Sequence, residues 1–367
     1  MLEISGVKFE NEKLIILDQT KLPNEEVYCE VETKEDVWDA IKRLAVRGAP
    51  LIGVFAAYGM YISTRDFSPY DTPCGVMKPE KCSRVENIRK YADYLKEVGE
   101  YLKTSRPTAV NLSWAVDRIT DKVEAILASG EMITVKGLKA VVLSEAREIE
   151  REDIESCRKM GEYGLSLLKP GMGILTHCNA GTLATSKYGT CISPIYLGQE
   201  KGYDFKVYSD ETRPLLQGAR LTSWELHKAG VDVTLICDNM ASIVMKEGKI
   251  DAVVVGCDRM ASNGDGANKI GTSGVAILAH EYGIPFYMYV PTSTIDMSLK
   301  DGSEIPIEKR DGEEICKMWY GKRMGPDGVK TYNPAFDVTD NKYITAVVTE
   351  KGIVYPPYSE NLKKIFE

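Results

Sequence analysis

The chain has 367 residues, 44 % of them apolar and 27 % charged, enough hydrophobic material for a substantial core and for two domains or one enlarged one. A formal net charge of −8 excludes a broad phosphate-binding face for nucleic acid and leaves room only for a local basic pocket that takes a small phosphate. The nine cysteines form no CxxC pair and the histidines, His177, His227 and His280, show no H-x-x-x-H spacing, so neither a disulfide framework nor a local metal template is expected, and no metal or cofactor is assigned.

The N-terminal stretch MLEISGVKFENEKLIILDQT interrupts its apolar positions with charge and lacks the continuous apolar region of a secretory signal. Strand-like segments run to about residue 32, and amphipathic helices follow over Val37–Leu44 and Val85–Leu102, the pattern of a small α+β domain. The apolar run Leu51–Ile62 contains Gly53 and Gly59 and falls short of the about 20 residues that span a bilayer, so no membrane association is expected and a cytoplasmic location is. The Pro- and Gly-rich stretch STRDFSPYDTPCGVMKPEKCS, residues 63–83, reads as an irregular loop or insertion. A charged helical pattern over Glu145–Leu168 ends at the Pro-Gly of KPGMG and carries the chain into a second domain. The boundary falls at 150, with an α+β cap over 1–150 and a Rossmann-like domain over 151–367.

From Gly173 onward one phrase recurs: a short apolar run, a polar cluster, then a helical pattern ending near glycine. This is the grammar of βαβ units, with strands in GILTHC, FKVYSD, DVTLICD, DAVVVGCD and PFYMYVP and helices in RPLLQGARLTSWELHKAG and TSGVAILAHEYG. The fold class is therefore α/β, a doubly wound parallel sheet. No GxGxxG follows any strand, which disfavours a nicotinamide dehydrogenase.

Ligands of such sheets bind beyond the carboxyl ends of the strands. Four predicted strands end there in chemically capable residues: Cys178 with Asn179, Asp210 with Glu211, Asp238 with Asn239, and Asp258 with Arg259. Cys178 is either a buried thiol that fills space or a sulfur facing helix N-terminal amides in NAGT, with its pKa lowered there. His177 points to the other face of the strand, so the neighbours form no Cys–His dyad. Asp258 is either an ion-pair partner or cap, or a general acid whose pKa is raised at the mouth of an apolar strand. The loop DRMASNGDGANKIGTSG leads through Asn268 and Lys269 to a helix opening near Thr272; it resembles a phosphate cradle without matching a P-loop, and Lys269 is otherwise a solvated loop charge. Arg47 in VRGAP and Arg106 in SRPTAVNLSW can present guanidinium groups to phosphate, or lie on the surface as lone arginines usually do.

Six ordered blocks, RGAPLIGVFAAYG, RPTAVNLSWAVDR, THCNAGTLAT, DETRPLLQGARLTSWEL, GCDRMASNGDGANKIGT and STID, resemble the methylthioribose-1-phosphate isomerase family, from about Val37 to the NPAFDVT near the C-terminus. The wider family includes 5-deoxyribose-1-phosphate and ribose-1,5-bisphosphate isomerases and the regulatory subunits of the translation-initiation exchange factor. The resemblance implies a catalytic pair at Cys178 and Asp258 and substrate contacts at Arg47, Gly48, Ala49, Arg106, Gln217, Asn268 and Lys269. It implies a small sugar phosphate as substrate, aldose–ketose isomerisation in methionine salvage, and a homodimer. The segment 66–83 departs from the usual length between the first two blocks. The alternatives are a 5-deoxyribose-1-phosphate isomerase and a non-catalytic regulatory subunit, and the presence of both Cys178 and Asp258 speaks against the latter.

Overall fold

Alternating apolar and polar residues at the N-terminus form three antiparallel strands, β1 (Val7–Glu10), β2 (Lys13–Leu17) and β3 (Tyr28–Val31), in the order β1-β2-β3. The computed structural model describes residues 4–68, 71–72, 75–76, 84–107 and 109–367. Helix α1 (Lys34–Lys42) starts at a capping box in which the Thr33 hydroxyl accepts from Asp36 N–H and the Asp36 carboxylate accepts from Thr33 N–H. Helix α2 (Ala49–Thr64) has no charged residue and is buried from Leu51 to Met60, so it is the axis of this unit. A two-residue hairpin, β4 (Asp71–Thr72) and β5 (Gly75–Val76), falls in the predicted insertion, most of which lies outside the described residues. Helices α3 (Arg84–Lys103) and α4 (Val110–Ala128) pack on α2, and α5 (Val135–Leu165) follows. The chain divides into two compact units, one of Ser5–Ile154 with Ala184–Ser186, the other of Met1–Ile4, Glu155–Leu183 and Lys187–Glu367.

The second unit is Rossmann-like. Its strands are β6 (Gly173–His177), β7 (Lys206–Asp210), β8 (Asp232–Ile236) and β9 (Ala252–Gly256), with α6 (Ser193–Glu200), α7 (Ser223–Lys228) and α8 (Ala241–Lys246) between them. A hairpin of β10 (Arg259–Ala261) and β11 (Gly266–Lys269) precedes α9 (Thr272–Glu281) and β12 (Phe286–Tyr289). The chain closes with β13 (Ile295–Asp296), α10 (Glu313–Cys316), β14 (Phe336–Thr339), β15 (Ala346–Thr349), β16 (Gly352–Val354) and α11 (Tyr358–Lys364). The main sheet runs β16-β15-β12-β9-β6-β7-β8, parallel throughout except for the antiparallel edge strand β16.

Every residue of β6, β9, β12 and β15 is buried, as strands covered on both faces must be. Leu175, Val253, Val255 and Met288 face α8, α9 and α11, whereas Ile174, Ala252, Val254 and Tyr289 face the end of α5, α6 and α7. All five strands predicted in this half form. The sequence reading missed the small sheet β13-β10-β11-β14. No helix among the described residues is long and apolar enough to cross a membrane.

Candidate active site

The strand order places β6, first in the unit, beside β9, and from this pair the connections lead outward in opposite directions: β7 and β8 on one side, β12 and β15 on the other. Ligands of open α/β sheets bind beyond the carboxyl ends of two such strands. His177 pairs in register with Val255, so the chain leaves the sheet at Cys178 on one strand and runs to Asp258 on the other, on the two sides of that crevice.

Cys178 is half-buried and has φ 70°, a left-handed conformation rare for a residue with a side chain. Two hydroxyls hold it there: its N–H donates to Thr212 Oγ1 at 2.8 Å, and its carbonyl accepts from Thr222 Oγ1 at 2.6 Å. The α-helix expected to open at NAGT is absent; Thr182–Ala184 make a single 3-10 turn instead. Glu225, wholly buried on α7, holds this turn: its carboxylate accepts from Asn179 Nδ2 at 2.8 Å, Thr182 Oγ1 at 2.6 Å and the Leu183 amide at 3.2 Å. Gly181 makes room for it, since a Cβ there would lie 1.6 Å from Glu225 Oε1.

His177 does not serve Cys178. Its Nε2–H donates to the Ile270 carbonyl at 2.8 Å, and its Nδ1 lies 3.0 Å from Asp210 Oδ2, both residues fully buried. Burial opposes the imidazolium, but the Asp210 hydrogen bond and charge, the Asp238 charge and the Ile270 carbonyl together raise the His177 pKa above 6.5. Burial raises that of Asp210 against the pull of His177. Both shifts have one meaning: the pair keeps one proton between its members.

Sequence spacing offered no metal template, yet ligand atoms of His177, Asp210 and Asp238 lie within 4.8 Å of one another. These atoms are already engaged, because Asp238 accepts from the Thr212 and Arg213 amides at 2.6 and 2.7 Å and His177 is bonded at both nitrogens. Their donor set fits a hydrogen-bonded framework better than an ion cage.

Asp258 is exposed, so the desolvation expected at its strand mouth is not supplied by the protein alone. Its backbone N–H donates to the Ala267 carbonyl at 2.9 Å, which ties it to the β10–β11 hairpin. Asn268 and Lys269 lie on β11, not on a loop, and both are buried; Lys269 Nζ donates to the Ala335 carbonyl at 3.0 Å and sits over the Phe336 ring. A solvated role for Lys269 is thereby excluded. Gln217 is buried and its Oε1 has no hydrogen-bond partner among the described residues.

Arg47, Gly48, Ala49 and Arg106 belong to the N-terminal unit and are half-buried. Gly48 begins α2 at φ 98° and packs so closely on Ala184 that a Cβ would lie 2.5 Å from its Cα. Among the described residues the α2 N-terminus has no side-chain cap, its N-cap being Gly48. Thr212, Thr222 and Glu225 escaped the sequence reading; the one available signal was their place in the segment after β7, which ends at the same edge as Cys178.

The sequence pattern of the Initiation factor 2 subunit family matches residues 45–356. The 5-deoxyribose 1-phosphate isomerase of Petrotoga mobilis is 59 % identical, with 97 % of this chain and 96 % of that protein aligned. The methylthioribose-1-phosphate isomerase of Symbiobacterium thermophilum is 56 % identical, with 96 % of this chain and 93 % of that protein aligned. Among solved structures, 5-methylthioribose 1-phosphate isomerase from Pyrococcus horikoshii superposes with a TM-score of 0.88 at 42 % identity, covering 99 % of this chain and 95 % of its own.

Two predictions follow from the buried polar groups. Gly181→Ala takes the space of Glu225 Oε1, 1.6 Å from the new methyl, and is expected to lower the unfolding free energy by roughly 1–3 kcal/mol in urea titration. An unchanged midpoint would show that the carboxylate swings aside freely. The His177–Asp210 pair keeps its proton above pH 6.5, where an unfolded histidine has lost it. The stabilisation is thus complete below that pH and drains away as the pH rises through the folded value, at up to about 1.4 kcal/mol per pH unit. Thermal midpoints taken between pH 6 and 9 should fall more steeply for the wild type than for Asp210→Asn, and parallel profiles would refute the shared proton.

Proposed function

This chain belongs to the Initiation factor 2 subunit family, and on that premise we propose that it is an aldose–ketose isomerase converting 5-methylthioribose 1-phosphate to 5-methylthioribulose 1-phosphate. The observation that supports the reading is the placement of Cys178 and Asp258 beyond the ends of β6 and β9, where open α/β sheets bind their ligands.

In such a substrate the phosphate locks C1 as a ring acetal, so the sugar cannot open spontaneously. Asp258, protonated, gives its proton to the ring oxygen as the C1–O bond breaks. The C2 hydrogen passes to C1 and the C2 hydroxyl gives its proton to the carboxylate that Asp258 has become, which leaves the C2 carbonyl and balances the isomerisation. Cys178 stands where it can shuttle the C2 hydrogen as a proton or stabilise its direct shift. Because Asp258 is exposed, its carboxyl is shielded from water only by the bound substrate itself. Within the sheet unit Lys269 is the phosphate contact, with Asn268 and Gln217 on the sugar hydroxyls; in the N-terminal unit Arg47, Arg106 and the start of α2 at Gly48 and Ala49 are candidate anion contacts in their own right.

A second reading, 5-deoxyribose 1-phosphate as the physiological substrate, is favoured by the name of the Petrotoga relative. Both sugars are uncharged at C5. The apolar stretch of α2 from Leu51 to Met60 is consumed by the core of its own unit, whereas Trp114 on α4 is 44 % exposed.

Cys178→Ser and Asp258→Asn should each lower turnover by about 10² to 10⁴ while calorimetry still registers substrate binding. Wild-type activity in either variant would return that residue to a structural role. The kcat/KM for 5-methylthioribose 1-phosphate should exceed that for 5-deoxyribose 1-phosphate by about 10- to 200-fold, the worth of an apolar group in a pocket, and ribose 1,5-bisphosphate, with about two extra charges, should be rejected. Equal use of the two monophosphates would support the second reading, and preference for the bisphosphate would overturn both.

A further inference from the structure

The left-handed residue at the end of β6 is tied to a second left-handed residue on the segment after β7. Thr212 has φ 63°, beside 70° at Cys178, and neither is glycine. Such a conformation is strained for a residue with a side chain and persists only where its surroundings over-determine it. Here they do so in sequence. The two oxygens of Asp238 accept from the Thr212 and Arg213 amides and fix the turn. The Thr212 hydroxyl then donates to the Asp210 carbonyl at 3.1 Å, which leaves its lone pairs for the Cys178 N–H at 2.8 Å. On the other side the Thr222 hydroxyl takes the Cys178 carbonyl and accepts from Asn179 Nδ2 at 3.1 Å. Both peptide groups flanking the Cys178 side chain are therefore held by hydroxyls rather than by a strand ladder, and the direction of the Cα–Cβ bond follows from that grip.

We propose that Thr212, anchored by Asp238, is a positioning residue that sets where the Cys178 sulfur stands beyond the end of β6. The proposal rests on the reading of Cys178 as a reacting group. A thiol that merely fills space gains nothing from a strained backbone, and Cys178 is half-exposed, unlike the filler cysteines Cys157, Cys191 and Cys316. With the hydroxyl gone, Cys178 relaxes towards negative φ and its side chain swings. Displacements near 1 Å at a reacting group can cost about a hundredfold in rate.

The test uses the full chain and two readouts. In Thr212→Val, kcat on whichever ribose 1-phosphate the wild type turns over should fall about ten- to a hundredfold, with KM within about threefold, and Thr212→Ser should recover most of it. Iodoacetamide alkylation of Cys178, followed by mass spectrometry of its peptide with exposed Cys237 as internal reference, should change at least about threefold in Thr212→Val and return in Thr212→Ser. Wild-type kcat and alkylation rate in Thr212→Val overturn the proposal. Should that variant fail to fold by circular dichroism, Thr222→Val, which frees the carbonyl side of the same grip, undergoes both measurements with the same expectation and the same overturning result. A wild type without turnover on either sugar removes the isomerase reading, and the alkylation rates alone then decide whether Thr212 positions the thiol.

Discussion

A parallel sheet covered on both faces has only one place to gather polar side chains, the edge where its strands end. β6, β9, β12 and β15 are buried at every residue, and helices from both sides take up their alternating side chains. Polar groups within such strands would be stranded without water, so the carboxyl ends collect them: Cys178, Asp210, Asp238 and Asp258 all lie at or just past a strand terminus. The geometry of the candidate site descends from this constraint. Because β6 and β9 are neighbours whose connections diverge, the crevice falls between Cys178 and Asp258 and not at any other pair of strands.

The same constraint explains what could be read from the sequence. Continuous apolar runs such as AVVVG are legible because a doubly covered strand needs no alternation, and all five predicted strands form. The hairpin β10–β11 was not legible: its strands are short, and the Asn263-Gly264-Asp265-Gly266 turn dominates any period-two signal, so Asn268 and Lys269 read as loop. Glu225 in TSWELHK looks like an ordinary surface acid on an amphipathic helix. Its burial depends on donors more than forty positions away, at Asn179 and Thr182, which no local pattern announces. His177 and Asp210 likewise meet across 33 positions through adjacent strand ends. The left-handed backbone of Cys178 leaves no trace at all in residue type, since glycine or asparagine is the usual marker and cysteine is neither.

The distribution of charge at this edge constrains where a phosphate is able to lie. Asp210, Glu211, Asp238 and Asp258 crowd the ends of β7, β8 and β9, a field hostile to a dianion and suited to proton chemistry. An anion therefore needs cations or amides set apart from the acids. The N-terminus of α9 is the obvious candidate in this unit, but it is already taken: Asp337 accepts from the Gly271 and Ser273 amides at 2.8 and 3.2 Å and from the Ser273 hydroxyl. A carboxylate that occupies those amides turns a generic anion site into part of the scaffold. In the same unit the buried Lys269 ammonium lies on the strand beside Asp337, already donating to the Ala335 carbonyl. Within this unit the fold thus separates acid from cation: the carboxylates and the Cys178 thiol stand at the sheet's carboxyl edge, while the buried ammonium of Lys269 lies on the β10–β11 hairpin that follows β9.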